Sequence, residues 1–159
     1  MTVEKRKKII GWVIAIVYMA VLLRITVFRS DFLKHDLFTN GCLHYLPLDN
    51  YMQMLRDREY FVFLYLFVGN IIWFIPFGFL LPFLTGRPKT VPMILLSGFL
   101  LSFAIEFSQY AFGTGDTELD DLVLNTLGTL LGFLIYRVYT HRKKKADELE
   151  TGGRDDAPR

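Results

Sequence analysis

Three carboxylates stand inside or beside apolar runs of this chain: Glu106, Asp120 and Asp121. Four more side chains in such runs can pair or hydrogen-bond: Arg24, Asn70, Gln109 and Asn125. Their spacing is helical. Ser102, Glu106 and Gln109 stand at i, i+4 and i+7, so they share one helix face. Asp121, Asn125, Gly128 and Gly132 share another. A charged group inside a membrane costs about 2.5–3.5 kcal/mol on insertion scales, so it points to a partner or to a function. A lone carboxylate such as Glu106 needs a cation, a proton or water. Two chemistries suit the set. As a binding site, the carboxylates meet cationic or hydroxyl-rich groups and Arg24 meets a phosphate. As a catalytic site, Glu106 is the general base, and Asp121 or Asp120 a metal or substrate ligand.

The elements that must position these residues are long apolar helices. Four runs approach or exceed the ~20 residues needed to cross a bilayer. They are 9–28, 60–84, 91–112 and 122–139. The second holds no charge and each of the others holds one. In lipid every backbone polar group must be paired within the segment, so such runs are helices. The averages agree: 52% of the 159 residues are apolar and 15 are Phe. A soluble bundle would need four helices apolar on every side. A single cysteine, Cys42, excludes a disulfide-stapled fold. The first run is too long, and lacks the cleavage site, for a signal peptide. The fold predicted is an all-α integral membrane protein with four transmembrane helices.

Depth follows from the rise per residue. Arg24 and Glu106 each lie fifteen residues into helices that run the same way. Both therefore lie about 22 Å above the inner boundary, in the outer half of the bilayer. Asn125 lies near the outer end of the fourth helix, and Asn70 about 15 Å below the outer end of the second. Gly128 and Gly132 form a small-xxx-small pair, expected to pack the fourth helix against the third. The expectation is one outward-facing polar site lined by Arg24, Asn70, Glu106, Gln109, Asp120, Asp121 and Asn125. Plainer roles stand beside it. Asn70 is equally suited to tying helices together. Arg24 is equally suited to snorkelling, and Asp120 or Asp121 to capping a helix.

Orientation comes from counting Lys and Arg in the loops. Lys5, Arg6, Lys7, Lys8, Arg87, Lys89 and the seven basic residues from Arg137 onward fall on one side. Only Arg29, Lys34, Arg56 and Arg58 fall on the other, so both termini are expected in the cytoplasm. Residues 1–8 form a basic tail, 29–59 one longer outer loop, and 141–159 a disordered cytoplasmic tail. Within the outer loop, 51–59 reads as a short helix with Tyr51, Met54 and Leu55 on one face. Asp49 or Asn50 is its expected cap. Pro76 predicts a kink in the second helix.

These residues resemble the VanZ-like family of small bacterial membrane proteins. The first motif reads Asn70-Ile71-Ile72-Trp73-Phe74-Ile75-Pro76-Phe77-Gly78. The second is Glu106-Phe107-Ser108-Gln109. The third runs Asp120-Asp121-Leu122, Asn125-Thr126-Leu127-Gly128 and then Gly132. Thr26-Val27-Phe28-Arg29 and Leu46-Pro47-Leu48 are weaker elements of the same resemblance. Many members carry an Arg shortly after the Gln, where this chain has Gly113-Thr114-Gly115-Asp116-Thr117. The resemblance implies an envelope protein of the bacterial plasma membrane, associated with resistance to glycopeptides, teicoplanin rather than vancomycin. It fixes no reaction.

Three functions follow as expectations. The first is a non-enzymatic protein whose site binds a lipid headgroup, a cell-wall precursor or a glycopeptide antibiotic. The second is an intramembrane enzyme acting on a lipid-linked substrate. The third is a small oligomeric ion- or proton-coupled transporter; the glycine pairs permit a homo-oligomer. No cofactor is expected, since no nucleotide or phosphate-loop signature is present. No metal is expected either, since Cys42 and His44 fall short of a four-ligand set. The basic run 142–145 is read as an anchor on anionic lipid, not a nucleic-acid site.

Overall fold

A computed structural model describes residues 2–34, 36–39, 41–44, 46, 48–86 and 90–155. His35, Pro47, residues 87–89 and Arg159 lie outside the described residues. Four long helices make up most of the chain: α1 (Val3–Thr26), α3 (Tyr60–Thr85), α4 (Val91–Phe112) and α5 (Leu119–Asp155). All four are long and apolar enough to cross a membrane. They alternate in direction, so the start of α1 and the end of α5 share one end of the bundle. The other end carries β1 (Cys42–His44), α2 (Asp49–Arg56) and β2 (Asp116–Glu118); it is the loop end below.

Local chemistry sets the boundaries. Pro92 stands in the first turn of α4, where its missing N–H costs nothing. Gly86 and Gly113 end α3 and α4 in the left-handed conformation that glycine adopts freely. Many apolar side chains face outward, among them Trp12, Ile16, Phe61, Leu100, Phe103 and Ile135. A helix that is apolar on its outer face belongs in lipid. The bundle holds together through Leu22, Val27, Phe74 and Ile105, which join α1, α3 and α4.

α5 packs most extensively on α3. Gly128 and Gly132 bring its backbone against the carbonyls of Ile71 and Ile75, and Gly78 of α3 lies against the Thr129 carbonyl. The expected docking of these glycines on the third transmembrane helix is therefore corrected: they meet the second. The contact with α4 uses the adjacent strip of α5, where Thr129 fits against Gly98. One face of α5 sits in the groove between two helices, and spacing alone cannot say which neighbour takes which strip.

Three further differences matter. α5 does not stop near 139 but continues as a helix to Asp155, so residues 141–155, expected to be disordered, are helical. A Lys144–Glu148 pair at 3.7 Å is one of the i,i+4 contacts that favour an exposed helix. Second, the two loops pair as a small parallel sheet, with Cys42, Leu43 and His44 opposite Asp116, Thr117 and Glu118. Third, Asp49 and Asn50 lie within α2 rather than capping it. The cap is Leu48, in the left-handed region at φ 61°. That strained turn is held by Asp120, whose carboxylate accepts the Leu48 N–H at 2.7 Å.

Candidate functional site

Just inside the loop end a cleft of about 390 Å³ lies between α1, α2, α3, α4, α5 and β2. That volume is within the ~300–1,000 Å³ typical of small-molecule sites. Asn70, Gln109 and Asp121 line it, one from each of three long helices. Arg29, Tyr51, Asp116 and Glu118 complete its polar wall.

Asp121 is the hub. It stands in the first turn of α5, where the helix dipole favours a negative charge. The Asn70 amide donates to its Oδ1. The Tyr51 hydroxyl donates to the same oxygen at 3.4 Å. Among the described residues no hydrogen bond reaches Oδ2, which leaves that oxygen to a ligand or water. Burial, and then the carboxylates of Asp121 and Glu118, push the Tyr51 hydroxyl well above the usual phenol range. Tyr51 therefore remains a protonated donor at any physiological pH. Edge contacts with Phe63 and Phe67 of α3 hold its ring. The register of α2 follows from Asn50, whose amide donates to Glu118 at 2.9 Å.

Gln109 donates to the Thr26 carbonyl of α1 at 3.3 Å, while its side-chain oxygen is buried with no partner among the described residues. Its amide and the guanidinium of Arg29 both lie against Gly115, where a side chain would crowd them. Arg29 makes no salt bridge among the described residues. The cleft thus presents one unpaired guanidinium and three carboxylates.

The seven expected residues do not all converge. Asn70, Gln109 and Asp121 line the cleft; Asp120 stands beside it, holding the Leu48 turn. Glu106 is buried and outside the lining: its carboxylate accepts the Glu118 N–H at 3.1 Å, and its own carbonyl accepts the Thr117 hydroxyl at 3.2 Å. Glu106 therefore positions β2 and, through it, Glu118. Asn125 is buried one turn below Asp121, donating to Ser102 at 2.9 Å. Arg24 is exposed and turns to its own helix end, donating to the Phe28 carbonyl at 2.5 Å. The cation at the cleft is Arg29 instead. Its presence in a short motif was the one sequence signal for it. Tyr51 had its place on an amphipathic face as a signal; Asp116 and Glu118 had none, because strand pairing between distant loops brings them in. Among the described residues, no group of three or more His, Cys, Asp and Glu is placed to hold a metal ion.

Comparison with known proteins gives a curated relative. Protein VanZ of Enterococcus faecium is 35% identical over 69 residues, which is 43% of this chain and 42% of that protein. The match thus spans less than half the length of either. No solved structure matches the chain. The family model described as VanZ/LLP1 matches residues 15–140, which contain every wall of the cleft, the second and third of the helices that could cross a membrane, and parts of the first and fourth. The chain is a multi-pass membrane protein that belongs to the VanZ/LLP1 family.

Proposed function

We propose that this protein lowers the action of teicoplanin-type glycopeptides at the bacterial plasma membrane, without catalysis, by binding the polar head of an envelope component in the cleft. The observation that carries this reading is the convergence of Asn70, Gln109 and Asp121 from three helices on one open cleft, beside Arg29 and Tyr51. The groups are of the right kinds: a carboxylate oxygen left to accept, and a guanidinium free to meet phosphate or carboxylate. The cleft faces the outside, and both termini face the cytoplasm, as the excess of Lys and Arg on the terminal side supports. A lipid headgroup, a cell-wall precursor and the antibiotic itself are the three ligand classes that fit this placement.

The test compares cells expressing the wild type and Asp121→Asn, with membrane levels matched by blotting. Asn keeps the shape and the acceptor for Asn70 and Tyr51 but removes the charge. The expected result is protection from teicoplanin by the wild type, little protection from vancomycin, and susceptibility of Asp121→Asn at the level of empty-vector cells. Full protection by a well-inserted Asp121→Asn would remove the cleft from the mechanism.

A further inference from the structure

α1 and α3 run side by side but do not stay together. Near the tail end Gly11 lies against Phe83 and Leu84. Midway the Tyr18 hydroxyl donates to the Trp73 carbonyl at 2.7 Å, in the turn just before Pro76. Beyond that point the cleft separates them: Ile25 and Thr26 form one jamb, and Tyr65, Leu66, Gly69 and Trp73 the other. A side chain built on Gly69 would meet nothing within 4 Å. Tyr65 is 68% exposed, Ile25 42% and Trp73 41%, all on the outer surface of the bundle. In a membrane protein that surface is lipid. The cleft therefore has a side opening, apolar at its frame and polar at its back, where Asn70 and Asp121 sit.

The geometry points to lateral admission of a membrane lipid: its head passes between α1 and α3 into the cleft, and its chain stays outside along Tyr65, Gly69 and Trp73. This rests on the reading of the cleft as the ligand site and adds the route and the ligand class. Charge selects the head. Asp116, Glu118 and Asp121 outnumber Arg29, so the favoured head carries a cation as well as a phosphate. The ligand is a phospholipid with a primary ammonium head: ammonium against Asp121 and Glu118, phosphate against Arg29. A soluble molecule would use only the back of this cleft and would have no need of an apolar frame.

The test uses the full chain purified from vesicles of equal phosphatidylethanolamine and phosphatidylglycerol, with the retained lipid measured by mass spectrometry. The wild type should retain phosphatidylethanolamine over phosphatidylglycerol by about tenfold, the ratio that one charge-assisted hydrogen bond supports. Gly69→Trp adds bulk at the opening, where an added Cβ meets nothing within 4 Å, and should abolish the enrichment. Gly69→Ala should keep it. Ile25→Trp closes the opposite jamb and guards against a folding defect in the first variant. Equal retention of the two lipids by the wild type would overturn the ligand class. Enrichment kept by both Trp variants but lost in Asp121→Asn would overturn lateral admission and leave the proposed function intact. Displacement of the lipid by micromolar O-phosphoethanolamine would show that the head alone suffices, and would overturn the commitment to a lipid. Loss of teicoplanin protection in Asp121→Asn without any lipid enrichment in the wild type would sink this inference alone.

Discussion

Asp121 and Asn125 stand one helical turn apart on α5, and the polar clusters around them have opposite characters. Around Asn125 everything is sealed. Ser102 and Thr129 are fully buried; Asn125 donates to Ser102 at 2.9 Å, and Thr129 donates to the Asn125 carbonyl at 3.0 Å. Around Asp121 the side chains face a cleft: Asp121 and Asn70 are only partly buried, and the buried Tyr51 joins them in its wall. The sealed cluster lies where glycines let helices touch: Gly98 under Thr129, Gly128 on Ile71 and Gly132 on Ile75. The open cluster lies where α1 and α3 part. Residue type does not separate glue from site, since both clusters use Asn and a hydroxyl. Helix spacing separates them. Where backbones touch, polar side chains are closed off from any ligand, even the Asn125 Oδ1, which is buried with no partner among the described residues; where they diverge, the same chemistry is left for a ligand.

The packed region is most sensitive at its glycines. Gly132→Leu would drive a side chain into the Ile75 carbonyl of α3. Overpacking of backbone against backbone should cost about 3 kcal/mol. Reversible unfolding in mixed micelles measures it, and a variant as stable as the wild type would mean that α3 and α5 do not approach through this residue. Ser102→Ala comes next. It strands the Asn125 amide and removes the 3.4 Å donation to the Asp121 carbonyl, for a loss of about 2 kcal/mol. Adding Asn125→Leu should restore part of that stability, because removing both partners costs less than stranding one. Protection per folded molecule should not change with Ser102→Ala; if it falls before stability does, the sealed cluster belongs to the site after all.

The smallest effect is expected at the rim of the cleft. Arg24→Ala should shift stability by no more than about 0.5 kcal/mol, as expected of an exposed residue. It should leave teicoplanin protection intact. Arg29→Ala should be equally mild in stability and lose protection. A reversed pair in a susceptibility assay would return the cationic role to Arg24.

The four transmembrane helices were legible in the residues alone, because apolar runs of this length satisfy the backbone's need for internal hydrogen bonds in lipid as helices. The residues alone also pointed to the family, through three motifs in order, and marked Asn70, Gln109 and Asp121 as candidate site residues. Helical spacing put Asp121, Asn125, Gly128 and Gly132 on one face, but a face packed into a groove has two neighbours. Only the assembled bundle decided that the glycines meet α3 while Asn125 and Thr129 meet α4. Only the pairing of β1 with β2 brought Glu118 to Asn50 and gave the Glu106 carboxylate a backbone partner. Arg24 and Arg29 look alike in one dimension; the end of α1 separates them, leaving one guanidinium on its own helix and the other on the cleft. Periodicity reports which residues share a side of one helix, and the physical choice among them is made by whichever helix comes close enough to exclude everything else.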